Sequence, residues 1–221
     1  MAKFTVEQGD PGVLGEEIRQ FWSAYLPGTP IERLEWMMQG NPAGPAVWLC
    51  AHEVRSQTLS ATISIMPKVL SLAGRKYRAG IVGDFMVAKE YRVFGPALQV
   101  MRSVIAGYHE LGFDFIYTVP NADSVKVCQR AGFAETGTIH RFAKVLNPGY
   151  ELQKKKVPPL MEAIAAPAVN LGFRFVSKET YRDTGLVSGP ENGFGGHDFP
   201  VPRIENSPFF IAHRDVSYLR W

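Results

Sequence analysis

The stretch from residue 79 to residue 119 constrains the fold of this chain more than any other. Residues 79–88 form a mostly apolar run, residues 94–111 repeat apolar side chains at helical spacing, and residues 113–119 form a second apolar run. A strand, a helix and a second strand buried on both faces predict a right-handed crossover between two parallel strands. We therefore expect an α/β fold with a mixed, twisted central sheet and flanking helices.

The turn that joins the first strand to the helix carries the spacing Arg92-x-x-Gly95-x-Ala97. Gly95 allows a ligand to approach the backbone closely, and Pro96 suits the first position of a helix. The first N–H groups of a helix have no partner within it, and they form the positive end of its dipole. Such a turn binds phosphate readily. The spacing therefore predicts a phosphorylated cofactor at this turn, with a purely structural turn as the alternative.

Further strands and helices surround this unit. Helical spacing occurs at 13–25, 31–38 and 121–131, and strand patterns occur at 4–8, 46–54, 59–66, 68–72, 133–138 and 142–146. After residue 148 the pattern becomes irregular, so we expect a compact domain over residues 1–148 and a C-terminal extension over residues 149–221. The last residues, 214–221, begin an amphipathic helical pattern. Such a helix either docks on the domain or leads into a second domain of a longer protein.

The composition sets expectations about partners. The formal net charge is +3 and the basic run at residues 154–156 is short, so nucleic acid is not expected as the main partner. The two cysteines and five histidines show no zinc-site spacing, so we expect no metal. No apolar run approaches the roughly 18 residues of a membrane span, and the first residues lack the apolar region of a signal peptide. We therefore expect a cytoplasmic protein with no membrane partner.

Three sequence features follow one another at fitting distances. They are Asp84-Phe85-Met86-Val87 before the turn, Arg92 to Ala97 within it, and Asn121-Ala122-Asp123-Ser124 followed by Gly132-Phe133. Together they resemble the GNAT superfamily of acyl-CoA-dependent N-acyltransferases, over roughly residues 4–146. The chain also resembles the N-terminal part of a tandem member of this superfamily.

The resemblance implies acetyl-CoA, or another acyl-CoA, as the cofactor. It places the pyrophosphate on the backbone N–H groups of residues 93–97, the pantetheine arm along residues 85–87, and residues 121–124 on the other side of the cofactor. The expected cofactor-binding residues are Phe85, Met86, Val87, Arg92, Val93, Phe94, Gly95, Pro96, Ala97, Asn121 and Ser124. Pro96 departs from an ideal phosphate turn because its nitrogen carries no hydrogen to donate.

Acyl transfer to an amine also requires a base, and Asp84 is the candidate. A carboxylate in an otherwise apolar strand is costly without a reason. The alternatives are that Asp84 pairs with Arg78 or Lys76, or that it caps a neighbouring backbone group. His140 and Glu135 are further candidates for the base.

The proton donor for the leaving thiolate is less obvious. Many members of the superfamily place a tyrosine shortly before the Gly-Phe pair, where it protonates the thiolate. Here the corresponding neighbourhood is Val127-Cys128-Gln129. Cys128 is the candidate acid, because thiols can titrate near neutral pH. The alternative is that Cys128 is a small buried apolar residue.

The leading hypothesis is therefore an N-acyltransferase that moves an acetyl or other acyl group from acyl-CoA to a small-molecule or peptide amine, with a homodimer left open. A non-catalytic acyl-CoA-binding or scaffold module of the same fold is the alternative. Aminoacyl transfer from a charged tRNA also occurs on tandem versions of the fold, but the charge balance does not favour it. Trp22, Tyr25, Glu32 and Trp36 on the N-terminal helices predict either an aromatic, mildly acidic acceptor site or core packing.

Overall fold

The computed structural model describes residues 3–9, 15–92, 95–139, 209–212 and 218. The elements, in chain order, are β1 (Phe4–Gly9), α1 (Gly15–Tyr25), α2 (Glu32–Met38), β2 (Val47–Glu53), β3 (Leu59–Leu72), β4 (Arg75–Val87), a short 3-10 turn (Lys89–Tyr91), α3 (Pro96–Gly107), β5 (Phe115–Thr118), α4 (Val125–Ala131) and β6 (Ile211–Ala212). Within the described part of the chain, no helix has the length and apolar character that crossing a membrane requires.

The strands form one mixed sheet. Its order is β1-β2-β3-β4-β5, and β6 pairs with β3. All paired strands are antiparallel except β4 and β5, which are parallel and are joined through α3. The predicted strand–helix–strand unit and the α/β fold with a mixed sheet are therefore confirmed.

The short strand β6 comes from the predicted C-terminal extension. Ile211 and Ala212 pair with Ser71 and Leu70 near the end of β3. The pairing of β2 with β3 reaches only Ile65, so β6 covers a part of β3 that β2 leaves open. At least this piece of residues 149–221 belongs to the sheet. The domain boundary at residue 148 stays a prediction.

Residues 59–66 and 68–72 were predicted as two strands, and this prediction was wrong, because they form the single strand β3. Pro67 lies inside the strand, where a missing N–H normally breaks the ladder. Its carbonyl oxygen accepts a hydrogen bond of 3.1 Å from the side-chain amide of Asn41. The hydrogen-bonding side of Pro67 therefore faces Asn41 rather than a strand, so no ladder bond is lost there.

Two other predicted elements differ from the structure. The helix predicted over 94–111 is shorter, since α3 spans Pro96–Gly107 and the chain then turns through Gly112 with φ of 80°. The strand predicted over 133–138 was wrong, since residues 133–139 have no regular secondary structure. Its predicted partner at 142–146 lies outside the described residues.

The helices form two layers, one on each face of the sheet. Side chains of a strand alternate between the two faces, and β2 shows which helices each face meets. Trp48 and Cys50 pack with buried residues of α1 and α2, whereas Leu49 and Ala51 pack with buried residues of α3 and α4. The sheet is thus enclosed between α1 with α2 on one side and α3 with α4 on the other.

Candidate functional site

The parallel strands β4 and β5 are neighbours over only part of their length. Their register ends with Val82 opposite Thr118, which is the last residue of β5. Strand β4 continues to Val87, still paired on its other side with β3. Residues 83–87 of β4 therefore lie beside a gap where β5 is absent.

A β-bulge lies at the start of this gap. The register between β3 and β4 shifts between Thr62 and Ser64, so that Asp84 and Phe85 together face a single residue of β3. Asp84 has φ of 45°, a left-handed conformation that is uncommon outside glycine, although aspartate adopts it more often than most residues. Bulges re-aim side chains, and this one turns the Asp84 carboxylate toward α2, as its hydrogen bonds show.

A cleft of about 720 Å³ opens at the gap. It brings together nearly all of the predicted site residues that the structure describes. Those that line it are Asp84, Phe85, Met86, Val87, Arg92, Ala97, Asn121, Ser124 and Cys128. Of the others, Gly95 lines a separate hollow with Gln99 and Arg102, and Pro96 is buried. Val93 and Phe94 lie outside the described residues.

Helix α3 begins next to this cleft. Gly95 precedes it in a left-handed conformation with φ of 92°, and Pro96 occupies the first turn. Because Pro96 has no N–H, the first N–H group that the helix itself presents is that of Ala97, which lines the cleft. The positive end of the α3 dipole therefore lies at the cleft wall.

The segment before α4 is held by its own side chains. The Asn121 Oδ1 atom accepts hydrogen bonds from the N–H of Asp123 at 3.2 Å, from the N–H of Ser124 at 2.9 Å and from the Ser124 hydroxyl at 2.8 Å. Asn121 thus closes an Asx-type turn immediately before α4, whose N-cap position is Ser124. The turn fixes the positions of Asn121, Asp123 and Ser124, which all line the cleft.

Asp84 has two partners in the described residues. The Arg33 Nε atom donates to Oδ1 at 3.3 Å and Nη2 donates to Oδ2 at 3.4 Å, while the Ser64 hydroxyl donates to Oδ2 at 3.0 Å. The alternative in which Asp84 pairs with Arg78 or Lys76 is therefore wrong. The Arg78 guanidinium instead donates to the carbonyl oxygens of Leu111 and Gly112, in the turn that follows α3.

Asp84 still has room for another donor. An ionised carboxylate offers about four acceptor positions, and Arg33 and Ser64 occupy three of them. The remaining position is on Oδ1, in a side chain that is 12% exposed. Of the two other base candidates, Glu135 is exposed and does not line the cleft, and His140 lies outside the described residues.

The position of Cys128 is compatible with both predictions made for it, a candidate acid at the cleft and a small buried residue of the core. Its side chain is buried in the core formed with α3, and it also lines the cleft. Burial raises the pKa of the Cys128 thiol above its ordinary value. The thiol is consequently protonated at neutral pH, but it is also a weaker acid than a free cysteine.

The wall formed by α1 and α2 is less aromatic than predicted. Trp22 is a core residue, 1% exposed, whose ring packs edge-on against Trp48 at 6.0 Å. Glu32 and Trp36 are exposed, and neither lines the cleft. Of the four residues proposed for this wall, only Tyr25 does.

Sequence reasoning missed Arg33, which is the charged residue on the α1–α2 wall of the cleft. Its guanidinium pairs with Asp84 on β4 and lies 5.8 Å from the centroid of the Trp36 ring. A single arginine on a seven-residue helix carries no motif, so only the fold could reveal this partner. Among the described residues, no cluster of His, Cys, Asp and Glu could hold a metal ion.

Comparison with solved structures finds the same fold in an acetyltransferase. The aminoglycoside N-acetyltransferase AAC(6')-Iy, in complex with a bisubstrate analogue (CoA-S-monomethyl-acetylneamine), matches with a TM-score of 0.51 and 16% sequence identity. The match covers 65% of this chain and 99% of that one. The same enzyme in complex with CoA gives a TM-score of 0.50 and 17% identity, over 64% and 94% of the two chains. No family model and no curated protein sequence matches this chain.

Proposed function

We propose that this chain, which has the fold of the GNAT acetyltransferases, is an acyl-CoA-dependent N-acyltransferase that uses acetyl-CoA or another acyl-CoA. The observation that carries the proposal is the cleft where β4 leaves β5. It is bordered by the start of α3 and by the Asn121 turn, and it gathers residues that three separate sequence features had marked. A neighbour of the same fold was crystallised with CoA, which supports this choice of cofactor.

The cofactor would lie along β4 with its phosphates at the start of α3. The backbone of residues 83–87 has no β5 neighbour, so its polar groups are open to an extended ligand such as the pantetheine arm. Arg92 and Ala97 line the same cleft, and an arginine side chain and the first N–H groups of a helix both favour an anionic group. Asn121 and Ser124 would bound the cofactor on the opposite side.

The reaction is a direct transfer. The amine nitrogen attacks the thioester carbonyl carbon, a backbone N–H of residues 85–87 stabilises the oxyanion, and the carbon–sulfur bond then breaks. The proton lost by the amine passes to Asp84, directly or through water, at the open position on Oδ1. The departing thiolate takes a proton, for which the buried Cys128 thiol is the candidate donor in the cleft.

The first test is calorimetric titration of the chain with acetyl-CoA and with free CoA. Two variants at one position form a matched pair, Gly95→Asp and Gly95→Asn. Aspartate and asparagine both tolerate the left-handed conformation, and a Cβ at Gly95 meets nothing within 4 Å. Only the aspartate adds a negative charge to the turn before α3, beside the proposed position of the phosphates. We expect at least about tenfold weaker binding for Gly95→Asp and near-native binding for Gly95→Asn.

Two results would contradict the proposed function or the proposed position of the phosphates. If neither ligand binds the wild-type chain, the proposal fails. If both variants bind as tightly as the wild type, the phosphates do not lie at this turn. Circular dichroism of both variants checks that they are folded.

A second function has one observation in its favour. Cys128 stands where a tyrosine is common in the superfamily, and its burial makes it a weak acid. The chain would then be a non-catalytic acyl-CoA-binding module. Binding of acetyl-CoA without thiol release, across a broad panel of amines, would favour the module over the enzyme.

A further inference from the structure

Arg33 on α2 and Asp84 on β4 present their charges to the cleft as a pair. Arg33 reaches across from α2, 51 residues before Asp84 in the chain, and meets the carboxylate through two hydrogen bonds. The Asp84 side chain is 12% exposed and that of Arg33 is 39% exposed. One cation and one anion thus lie side by side where β4 meets α2, and both line the cleft.

This pair is loosely made. Its contacts of 3.3 and 3.4 Å are longer than the 2.7–2.9 Å or so of a tight charge-assisted bond. A guanidinium has five N–H donors, and these two bonds use one each on Nε and Nη2. Asp84 retains an acceptor position on Oδ1. Each member of the pair can therefore take a further partner of opposite charge without breaking the contact between them.

Apart from Arg33, the α1–α2 wall adds no charge to the cleft. Tyr25, Leu26 and Thr29 are the other residues of the α1–α2 region that line the cleft. The remaining charged lining residues, Arg92 and Asp123, belong to the turn before α3 and to the turn before α4. Within the described residues, the side of the cleft where β4 meets α2 is therefore neutral overall but strongly dipolar, since Arg33 and Asp84 are its two charges. It attracts a polycation weakly, but it can pair with both charges of a ligand that carries one positive and one negative group.

We propose that the acceptor amine is a zwitterion with its ammonium and carboxylate on neighbouring carbon atoms, as in a free α-amino acid. Its ammonium meets Asp84 at Oδ1, and its carboxylate meets the outer N–H groups of Arg33. Because Arg33 and Asp84 are within hydrogen-bonding distance of each other, the ligand must carry its charges equally close together. The proposal rests on the proposed function, since the ammonium that meets Asp84 is the nitrogen that is acylated after deprotonation.

The test compares the common L-amino acids with their carboxamides, which keep the amine and lose the carboxylate. Thiol release from acetyl-CoA gives kcat/KM for each, and calorimetric titration without cofactor gives the affinity of each acceptor separately. We expect the preferred amino acid to exceed its own amide by at least about tenfold in both measurements, since a hydrogen bond to a charged group is worth about that much.

Two variants test whether Arg33 causes the preference for an amino acid over its amide. Arg33→Met keeps the length and the apolar stem but removes the guanidinium, and we expect the amino acid and its amide to become equal, through a higher KM for the amino acid alone. Arg19→Met is the matched control, because Arg19 makes a comparable salt bridge of 2.9 Å with Glu35 between α1 and α2 and does not line the cleft. It should leave the preference unchanged.

Each outcome decides something. If acetyl-CoA binds and amides or simple amines react as well as amino acids, the zwitterion proposal is overturned while the acyltransferase proposal stands. If acetyl-CoA binds but no amine reacts, the zwitterion proposal falls and the module interpretation is supported. If Arg33→Met lowers turnover of the amino acid and its amide equally, Arg33 only positions Asp84 and does not select the acceptor. If amino acids bind in preference to amides but acetyl-CoA does not bind, the site recognises zwitterions and the acyltransferase proposal fails instead.

Discussion

Gly80 is the position where the smallest change should do the most damage to the pair of parallel strands. It lies in β4 opposite Ile116 of β5. A Cβ added there would lie 2.5 Å from Ile65 Cγ2, 3.1 Å from Ile116 Cγ2 and 3.2 Å from Phe113 Cδ1. Carbon atoms in contact prefer about 3.5–4.0 Å, so Gly80→Ala forces at least one of these groups to move.

The magnitude follows from which atoms must give way. Ile65 is completely buried, and its Cγ2 belongs to a β-branched side chain that is stiff at χ1. Overpacking of this kind costs about 1–3 kcal/mol. Replacing glycine by alanine also lowers the conformational entropy of the unfolded state, which stabilises the folded protein by about 0.4–1 kcal/mol. We expect a net loss of about 1–2 kcal/mol in the free energy of unfolding for Gly80→Ala.

Urea unfolding followed by tryptophan fluorescence measures this loss. With a slope of about 2 kcal/mol per molar, the middle of the usual range for urea, the midpoint should fall by about 0.5–1 M. Gly83→Ala is the matched control, because it lies three positions further along β4 and a Cβ there meets nothing within 4 Å. Its midpoint should stay the same or rise slightly.

A second-site change tests the cause. Ile65→Leu removes the branched methyl group that the new Cβ would strike, so the cost of Gly80→Ala should be smaller in that background. If Gly80→Ala is as stable as Gly83→Ala, the packing of β3, β4 and β5 around Gly80 is not tight enough to exclude a Cβ. The positioning of the gap beyond Val82 would then have to be reconsidered.

Two further predictions concern titration and catalysis. Burial, followed by the nearby Glu17 and Glu7 carboxylates, raises the pKa of Cys50 from 9.0 to about 12, so the folded chain keeps a proton that the unfolded chain releases. The free energy of unfolding should therefore fall by about 1.4 kcal/mol per pH unit between about pH 9 and pH 12. Urea titrations at pH 8 and pH 10 should show that Cys50→Ala lacks this part of the decline. If the difference in stability between the wild type and Cys50→Ala is the same at both pH values, the raised pKa of Cys50 is contradicted. For Asp84→Asn, we expect kcat to fall by about 100-fold or more with the Kd for CoA within about threefold of wild type, whereas a parallel loss of CoA binding would mean that Asp84 supports the cofactor site rather than acting as the base.

Much of the site could be placed from the sequence because its parts are local. The apolar runs around the glycine turn reflect burial of β4 and α3, and the Asn121–Ser124 turn makes its own hydrogen bonds within four residues. The prediction failed where a distant contact overrode a local signal. Residues 59–66 and 68–72 were predicted as separate strands, but they form one strand in which the Pro67 carbonyl is satisfied by Asn41, 26 residues away.

The sequence by itself determined most of the helices and strands of residues 1–131 and their order, because the periodicity of apolar side chains records which face of each helix or strand is buried. It therefore predicted the parallel pair and the helix between them. Only the tertiary structure decided that Asp84 lies in a bulge, that Arg33 is its partner and that β6 returns to β3. These features depend on contacts between segments far apart in the chain, and no spacing within one segment records which distant residue will meet it.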